Sequence, residues 1–198
     1  MNPRRDGTLV SWWRYFLIFM GVSFNKVRAV HGLSDGEELA LEAIRTRLRS
    51  LANTEEVRAL INEAKGAPAA HLAETVWKGL SESSDFIRGF RKAEFEMALA
   101  AASLPRATAV YLSQASGEKI AFNLKPRVWN HFDQNVHRFP MAGKEYTEIM
   151  LKVPFDPDSE IRAVELGVPV LSSEGEPLGS LVAHLDYLEL RALGTLRD

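Results

Sequence analysis

Ile161-Arg162-Ala163-Val164-Glu165-Leu166-Gly167-Val168-Pro169-Val170-Leu171 is an eleven-residue run rich in Val, Leu and Ile. Ser172-Ser173-Glu174-Gly175-Glu176-Pro177, a cluster of turn formers, follows it. A second apolar run, Leu178-Gly179-Ser180-Leu181-Val182-Ala183-His184-Leu185-Asp186, comes next. Two strand-like runs joined by a Gly- and Pro-containing turn predict an antiparallel hairpin. Working back from it, Tyr146–Val153 alternates well enough for a third strand, and Pro154–Glu160 is an Asp- and Pro-rich turn. Thr108–Leu112 and Lys119–Leu124 form an earlier strand pair around the turn Gln114-Ala115-Ser116-Gly117-Glu118. Between the two groups, Lys125–Lys144 is irregular, with Pro126, Pro140 and Gly143.

The half before Pro105 reads as helices. Ser34-Asp35-Gly36-Glu37 is a capping box, and Leu41, Ile44, Leu48 and Leu51 fall on one face of the helix it opens. Asn53-Thr54-Glu55-Glu56 repeats the signal for a second helix with Val57, Leu60, Ile61 and Ala64 inward, closed by Gly66. A third helix is expected from Pro68 to about Leu80, and a fourth from about Asp85 to Ser103, stopped by Leu104-Pro105. Helices followed by about five strands in hairpins predict an α+β fold with an antiparallel sheet. The expected division is a segment 1–32 and one domain 33–198, helical over 33–104 and sheet over 105–190.

At 198 residues, 46% hydrophobic and 25% charged, the chain has the make-up of a folded globule of one domain. A net charge of −2 leaves no basic stripe, which argues against a nucleic-acid partner. With no cysteine, disulfides, thiolate metal sites and a cysteine nucleophile are excluded. At the N-terminus Arg4, Arg5 and Arg14 precede the apolar run Tyr15–Val22, with small residues at Gly21 and Ser23. That is the layout of an export signal. An uncleaved membrane anchor and an amphipathic helix of a soluble protein are the alternatives, the run being short for a span and Asn25-Lys26-Val27-Arg28 basic for a cleavage region.

The closing order resembles the end of Cache domains, PAS-like sensory domains outside the bacterial cytoplasmic membrane. It runs Val168-Pro169-Val170, a turn with Gly175, Pro177-Leu178-Gly179, an apolar strand, then Asp186-Tyr187-Leu188-Glu189-Leu190. The preceding order of helices, two-stranded hairpin, long pocket-forming segment and three strands is similar to theirs too. The resemblance is closest to small stand-alone periplasmic members. It implies a PAS/Cache-like five-stranded antiparallel sheet, periplasmic location and a sensory, non-catalytic role in signal transduction. It also implies a membrane-bound signalling partner and a homodimer through the N-terminal helices.

The segment after the second strand gathers Arg127, Trp129, His131, Phe132, Asp133, His137, Arg138 and Phe139 within thirteen positions. A guanidinium clamps a carboxylate with two parallel hydrogen bonds, a Trp walls a pocket, and an Asp across the cavity holds an ammonium. Amino-acid-binding Cache domains carry an Arg-x-Trp pair here, which Arg127-Val128-Trp129 matches, followed by a Tyr where this chain has Asn130. Their later Asp corresponds to Asp156 or Asp158. The expected ligand residues are therefore Arg127, Trp129, Tyr111, Tyr146, Asp156 and His131, for a small carboxylate or amino acid. The alternative is an interaction or scaffold protein whose pocket is filled by Trp129 and Phe132 and which acts through its helical surface.

No cofactor is expected. His131 and His137 are six apart rather than the four that puts two ligands on one helical face, and His131, Asp133 and His137 match no metal spacing. Asp156–Glu160 lacks the mid-loop Gly and terminal Glu of a calcium loop. Gly143-Lys144 is no phosphate loop, and no Gly-x-Ser-x-Gly elbow occurs. No nucleophile or base is singled out, so no enzymatic activity is expected.

Overall fold

The computed structural model describes residues 33–65, 72–104, 109–152 and 161–195. The expected export segment and the expected turn 154–160 with Asp156 and Asp158 lie outside the described residues. Seven helices and five strands follow in the order α1 (Asp35–Ala52), α2 (Glu55–Lys65), α3 (Glu74–Gly79), α4 (Asp85–Arg88), α5 (Ala93–Ala102), β1 (Ala109–Gln114), β2 (Lys119–Phe122), α6 (Asn135–Met141), β3 (Tyr146–Lys152), β4 (Ile161–Leu171), β5 (Pro177–Asp186) and α7 (Tyr187–Thr195). The fold is α+β. The strands form one antiparallel sheet in the order β2-β1-β5-β4-β3.

Alternation along the strands gives the sheet two faces. Val110, Leu112, Ala121, Val164, Leu166, Val168, Val170, Leu181, Ala183 and Leu185 are buried on one of them, against Leu41, Ile44, Leu48, Leu51, Val57, Ile61 and Phe95 of the helices. The helix stripe read from the sequence is thus the covering layer of this face. The capping box of α1 is complete: the Ser34 hydroxyl accepts from the Glu37 N–H, and the Glu37 carboxylate accepts from the Ser34 N–H at 2.7 Å. Tyr187 at the start of α7 donates to the same carboxylate at 3.1 Å, tying the C-terminal helix to the first. At the other edge Arg45 donates to Thr147 of β3 at 3.0 Å, and Arg49 pairs with Glu145.

Several expectations about elements are corrected. The fourth helix is two, α4 and α5, broken after Arg88. The break lets the Phe90 carbonyl accept from the Phe122 N–H at 3.2 Å, while the Phe90 ring stacks on Phe122 at 5.5 Å. The irregular segment contains α6, whose Pro140 sits in its last turn. The acidic–apolar tail after Asp186 forms helix α7. Within its described part, the expected third helix is only Glu74–Gly79.

Candidate functional site

The second face of the sheet is covered by the chain between β2 and β3. Strand register arranges this inner face in rows. Phe122, Tyr111, Val182, Gly167 and Tyr146 lie side by side across all five strands. Lys119, Ser113, Ser180 and Pro169 form a row to one side of them; Ala109, His184, Glu165 and Glu148 form a row to the other. Lys119 reaches this face through an irregularity. Leu112 pairs with Ala121 but Ser113 pairs with Lys119, so Ile120 is an extra residue in β2. A bulge of this kind reverses the alternation beyond it and re-aims a side chain.

The cover is held by backbone geometry. Gly117 has φ +79°, and its carbonyl accepts from the His131 N–H at 2.9 Å. Asn130 bridges to Glu118 and donates to the Ser116 carbonyl at 3.1 Å. Helix α6 lies directly on β4, where a Cβ at Gly167 would stand 2.5 Å from the Val136 carbonyl oxygen. His137 of α6 is spanned at both ring nitrogens, by Ser180 Oγ at 2.7 Å and the Ala115 carbonyl at 3.2 Å. Its Nε2–H therefore donates to Ala115 and its Nδ1 accepts from Ser180, which leaves no lone pair for a metal. Asp133 is exposed, and among the described residues no three His, Asp or Glu side chains gather as a metal site.

Trp129 closes the β2 end. Its N–H is shared by the two oxygens of the Glu74 carboxylate at 3.1 and 3.0 Å, and its ring meets Trp77 at 4.9 Å and Phe90 at 5.3 Å. Lys125 donates to the Trp77 and Leu80 carbonyls at 2.8 and 2.7 Å and lies over the Trp77 ring. The aromatic cluster is thereby pinned to the short helix α3.

Inside this cover lies a polar cluster. Lys119, Tyr111, Trp129 and His131 are 1%, 2%, 4% and 5% exposed. The Lys119 ammonium donates to the Trp129 carbonyl at 3.2 Å and sits 4.7 Å from the centre of the Tyr111 ring. No carboxylate lies within ion-pair distance of it among the described residues. Burial pushes its pKa down to about 7, although Glu74 and Glu165 pull the other way. Tyr111 donates to Glu165 at 3.4 Å and lies the same distance from His184 Nε2, while Glu165 and His184, cross-strand partners, bond directly. Burial and the Glu165 charge raise the Tyr111 hydroxyl well above its ordinary range. Burial, with Lys119 nearby, drives His131 far below the usual imidazole range, so it is neutral. Three buried atoms here have no hydrogen-bond partner: Ser113 Oγ, Trp129 Nε1 and His131 Nδ1. Such orphans are rare in folded chains, and each calls for a physical explanation.

Of the ligand residues expected from sequence, Tyr111, Trp129 and His131 are brought together in this cluster. The Tyr111 and His131 rings meet edge to face at 5.0 Å. Tyr146 is half-buried at the far end of the central row; its hydroxyl donates to Glu148 at 2.6 Å, and burial with that contact raises its pKa. Arg127 is exposed and stands outside the cluster. Phe132 is 57% exposed, so it does not fill the inner face as the scaffold reading required. Lys119, Glu165, His184 and Glu74 were not singled out. A signal for two of them existed: Glu165 and His184 are polar residues inside apolar strands, at positions the hairpin pairs with each other.

No family model matches the chain, and no curated protein matches it. Solved structures do. The sensor domain of the V. cholerae histidine kinase DctB is 14% identical over 92% of this chain, with a TM-score of 0.49; the chain spans 60% of that domain's length. The E. coli DcuS sensor domain is 12% identical over 83% of this chain and all of its own length, with a TM-score of 0.47. The ligand-binding domain of the Campylobacter jejuni chemoreceptor Tlp3, in complex with L-valine, is 11% identical over 96% of this chain and 68% of its own, with a TM-score of 0.39. The first two are sensor domains and the third is a ligand-binding domain.

Proposed function

We propose that this chain is an extracytoplasmic sensory module that captures a small carboxylate or amino acid on the inner face of its sheet, without catalysing a reaction on it. One observation carries the reading: a buried ammonium without a carboxylate partner among the described residues shares its cluster with Ser113, Trp129 and His131, each of which bears an orphaned polar atom. An unpaired charge and unmet hydrogen-bonding groups cost free energy unless a ligand or water satisfies them. Lys119 takes the cationic role that the sequence pattern assigned to Arg127. Trp129 Nε1, His131 and the Ser113 hydroxyl supply further contacts to an anionic group. Glu165, held by Tyr111 and His184, supplies an acceptor for an ammonium if the ligand carries one. Tyr146 lines the far end, and Arg127 lies outside this set of contacts.

The test is thermal shift against acetate, succinate, L-alanine and L-leucine, on the wild type, Lys119→Met and Arg127→Ala. A ligand at 100 times its Kd stabilises the folded state by about 2.7 kcal/mol. The expected result is a shift in the wild type and Arg127→Ala that Lys119→Met abolishes. A wild type unmoved by every acid, or a shift that survives in Lys119→Met, overturns the reading. The near-complete burial of the cluster favours a second reading, an interaction module with a closed inner face that answers to a membrane-bound partner instead. That reading predicts a flat panel.

A further inference from the structure

We infer that the inner-face site takes up its anionic ligand together with a proton, and that the proton is lodged on Lys119. The inference rests on the sensory reading above and concerns how that site is regulated. The geometry supports it in two ways. The Lys119 amine is walled in by the Tyr111 ring and the Trp129 carbonyl, neither of which can neutralise an ammonium. The charges that face it are committed elsewhere: Glu74 of α3 accepts from the Trp129 N–H, and Glu165 of β4 is bonded to His184 of β5 and to Tyr111 of β1. His131 in the covering loop and His137 of α6 are neutral, their imidazolium forms disfavoured by burial and by Lys119 itself. An empty site therefore holds a charged Lys119 poorly, and its pKa of about 7 is the consequence. An incoming carboxylate is the missing counter-charge. It favours the ammonium and pulls a proton from solvent.

The sign follows. Well below pH 7 the amine is already protonated and little proton uptake accompanies binding. At pH 8 an empty site with a midpoint near 7 is mostly neutral, so each ligand brings about nine-tenths of a proton with it. Apparent affinity then falls roughly tenfold per pH unit above that midpoint, until the pKa of the occupied site is reached.

Calorimetric titration of the wild type with succinate and with L-alanine, at pH 6.5 and pH 8 in two buffers of different ionisation enthalpy, reads the uptake directly. Carbon-13 labelling of the lysine side chains reads which group takes the proton. The expected result is a buffer-dependent heat at pH 8 that falls to roughly a quarter of its size at pH 6.5, with a Lys119 midpoint that rises on saturation. Binding with the same heat in both buffers overturns this inference and leaves the sensory reading standing. So does proton uptake with an unmoved lysine midpoint. Failure of both acids to bind at either pH removes the site reading and this inference together.

Discussion

Trp129 combines two roles that a single substitution separates. Its ring packs on Trp77 and Phe90, while its indole N–H is buried without a partner. Removing an unsatisfied buried donor is close to neutral, whereas removing a donor that a ligand uses costs about 1 kcal/mol or more. Trp129→Phe is therefore expected to cost the empty protein about 1–3 kcal/mol in urea unfolding through lost ring packing alone, while weakening any acid that binds by roughly tenfold. Equal affinity in the two proteins would mean that the N–H faces no ligand. At this scale the sequence was only partly legible. Trp129 and His131 could be picked out because aromatic and imidazole side chains are concentrated in the segment between β2 and β3, and Tyr111 because it lies on a strand next to it. Lys119 could not be, since its inward aim depends on the extra residue Ile120, which shifts register without leaving a mark in composition. Arg127 matched a motif, yet the side chain at that position is exposed.

At the scale of elements, the covering loop depends on the turn between β1 and β2. Gly117 and Gly143 both have positive φ, +79° and +70°. Their surroundings differ: a Cβ on Gly117 would stand 2.3 Å from the Phe132 backbone nitrogen, whereas nothing lies within 4 Å of one on Gly143. Gly143→Ala is expected to cost about 1–2 kcal/mol, the left-handed penalty alone. Gly117→Ala adds displacement of backbone that cannot give way and is expected to cost roughly 2–5 kcal/mol in urea unfolding at an unchanged slope. Equal costs would show that the loop 130–132 does not rest on this turn. The elements that local signals specify were the legible ones. The hairpin expected at Ile161–Leu171 and Leu178–Asp186 is β4 and β5, and the box at Ser34 caps α1. The break between α4 and α5 was not legible, because Phe90 leaves the helix for a partner, Phe122, thirty-two residues further along the chain. Helix α6 was hidden by Pro140, which a last turn tolerates.

For the whole molecule, the two faces of the sheet divide the work. The helix-covered face buries mainly aliphatic side chains, and the inner face carries an ionisable group whose cost must be met by the rest of the fold. That cost has a measurable signature. In the unfolded chain Lys119 titrates near 10.4, and in the folded chain near 7. Between those values the unfolded state binds about one more proton than the folded state, so stability rises with pH by about 1.4 kcal/mol per unit in that window. Below about pH 7 both states hold the proton and the dependence disappears. Lys119→Met, which keeps the length of the side chain but cannot titrate, lacks this contribution. Urea unfolding of the two proteins at pH 7.5 and 9.0 is therefore expected to move in favour of the wild type by about 2 kcal/mol between the two conditions, order of magnitude, the other groups cancelling in the comparison. Saturating the wild type with an acid that binds should flatten the slope, because an occupied site keeps its proton. A difference between wild type and Lys119→Met that stays constant with pH would mean that the ammonium already has its counter-charge, and that the inner face is a finished core rather than a site waiting for an anion.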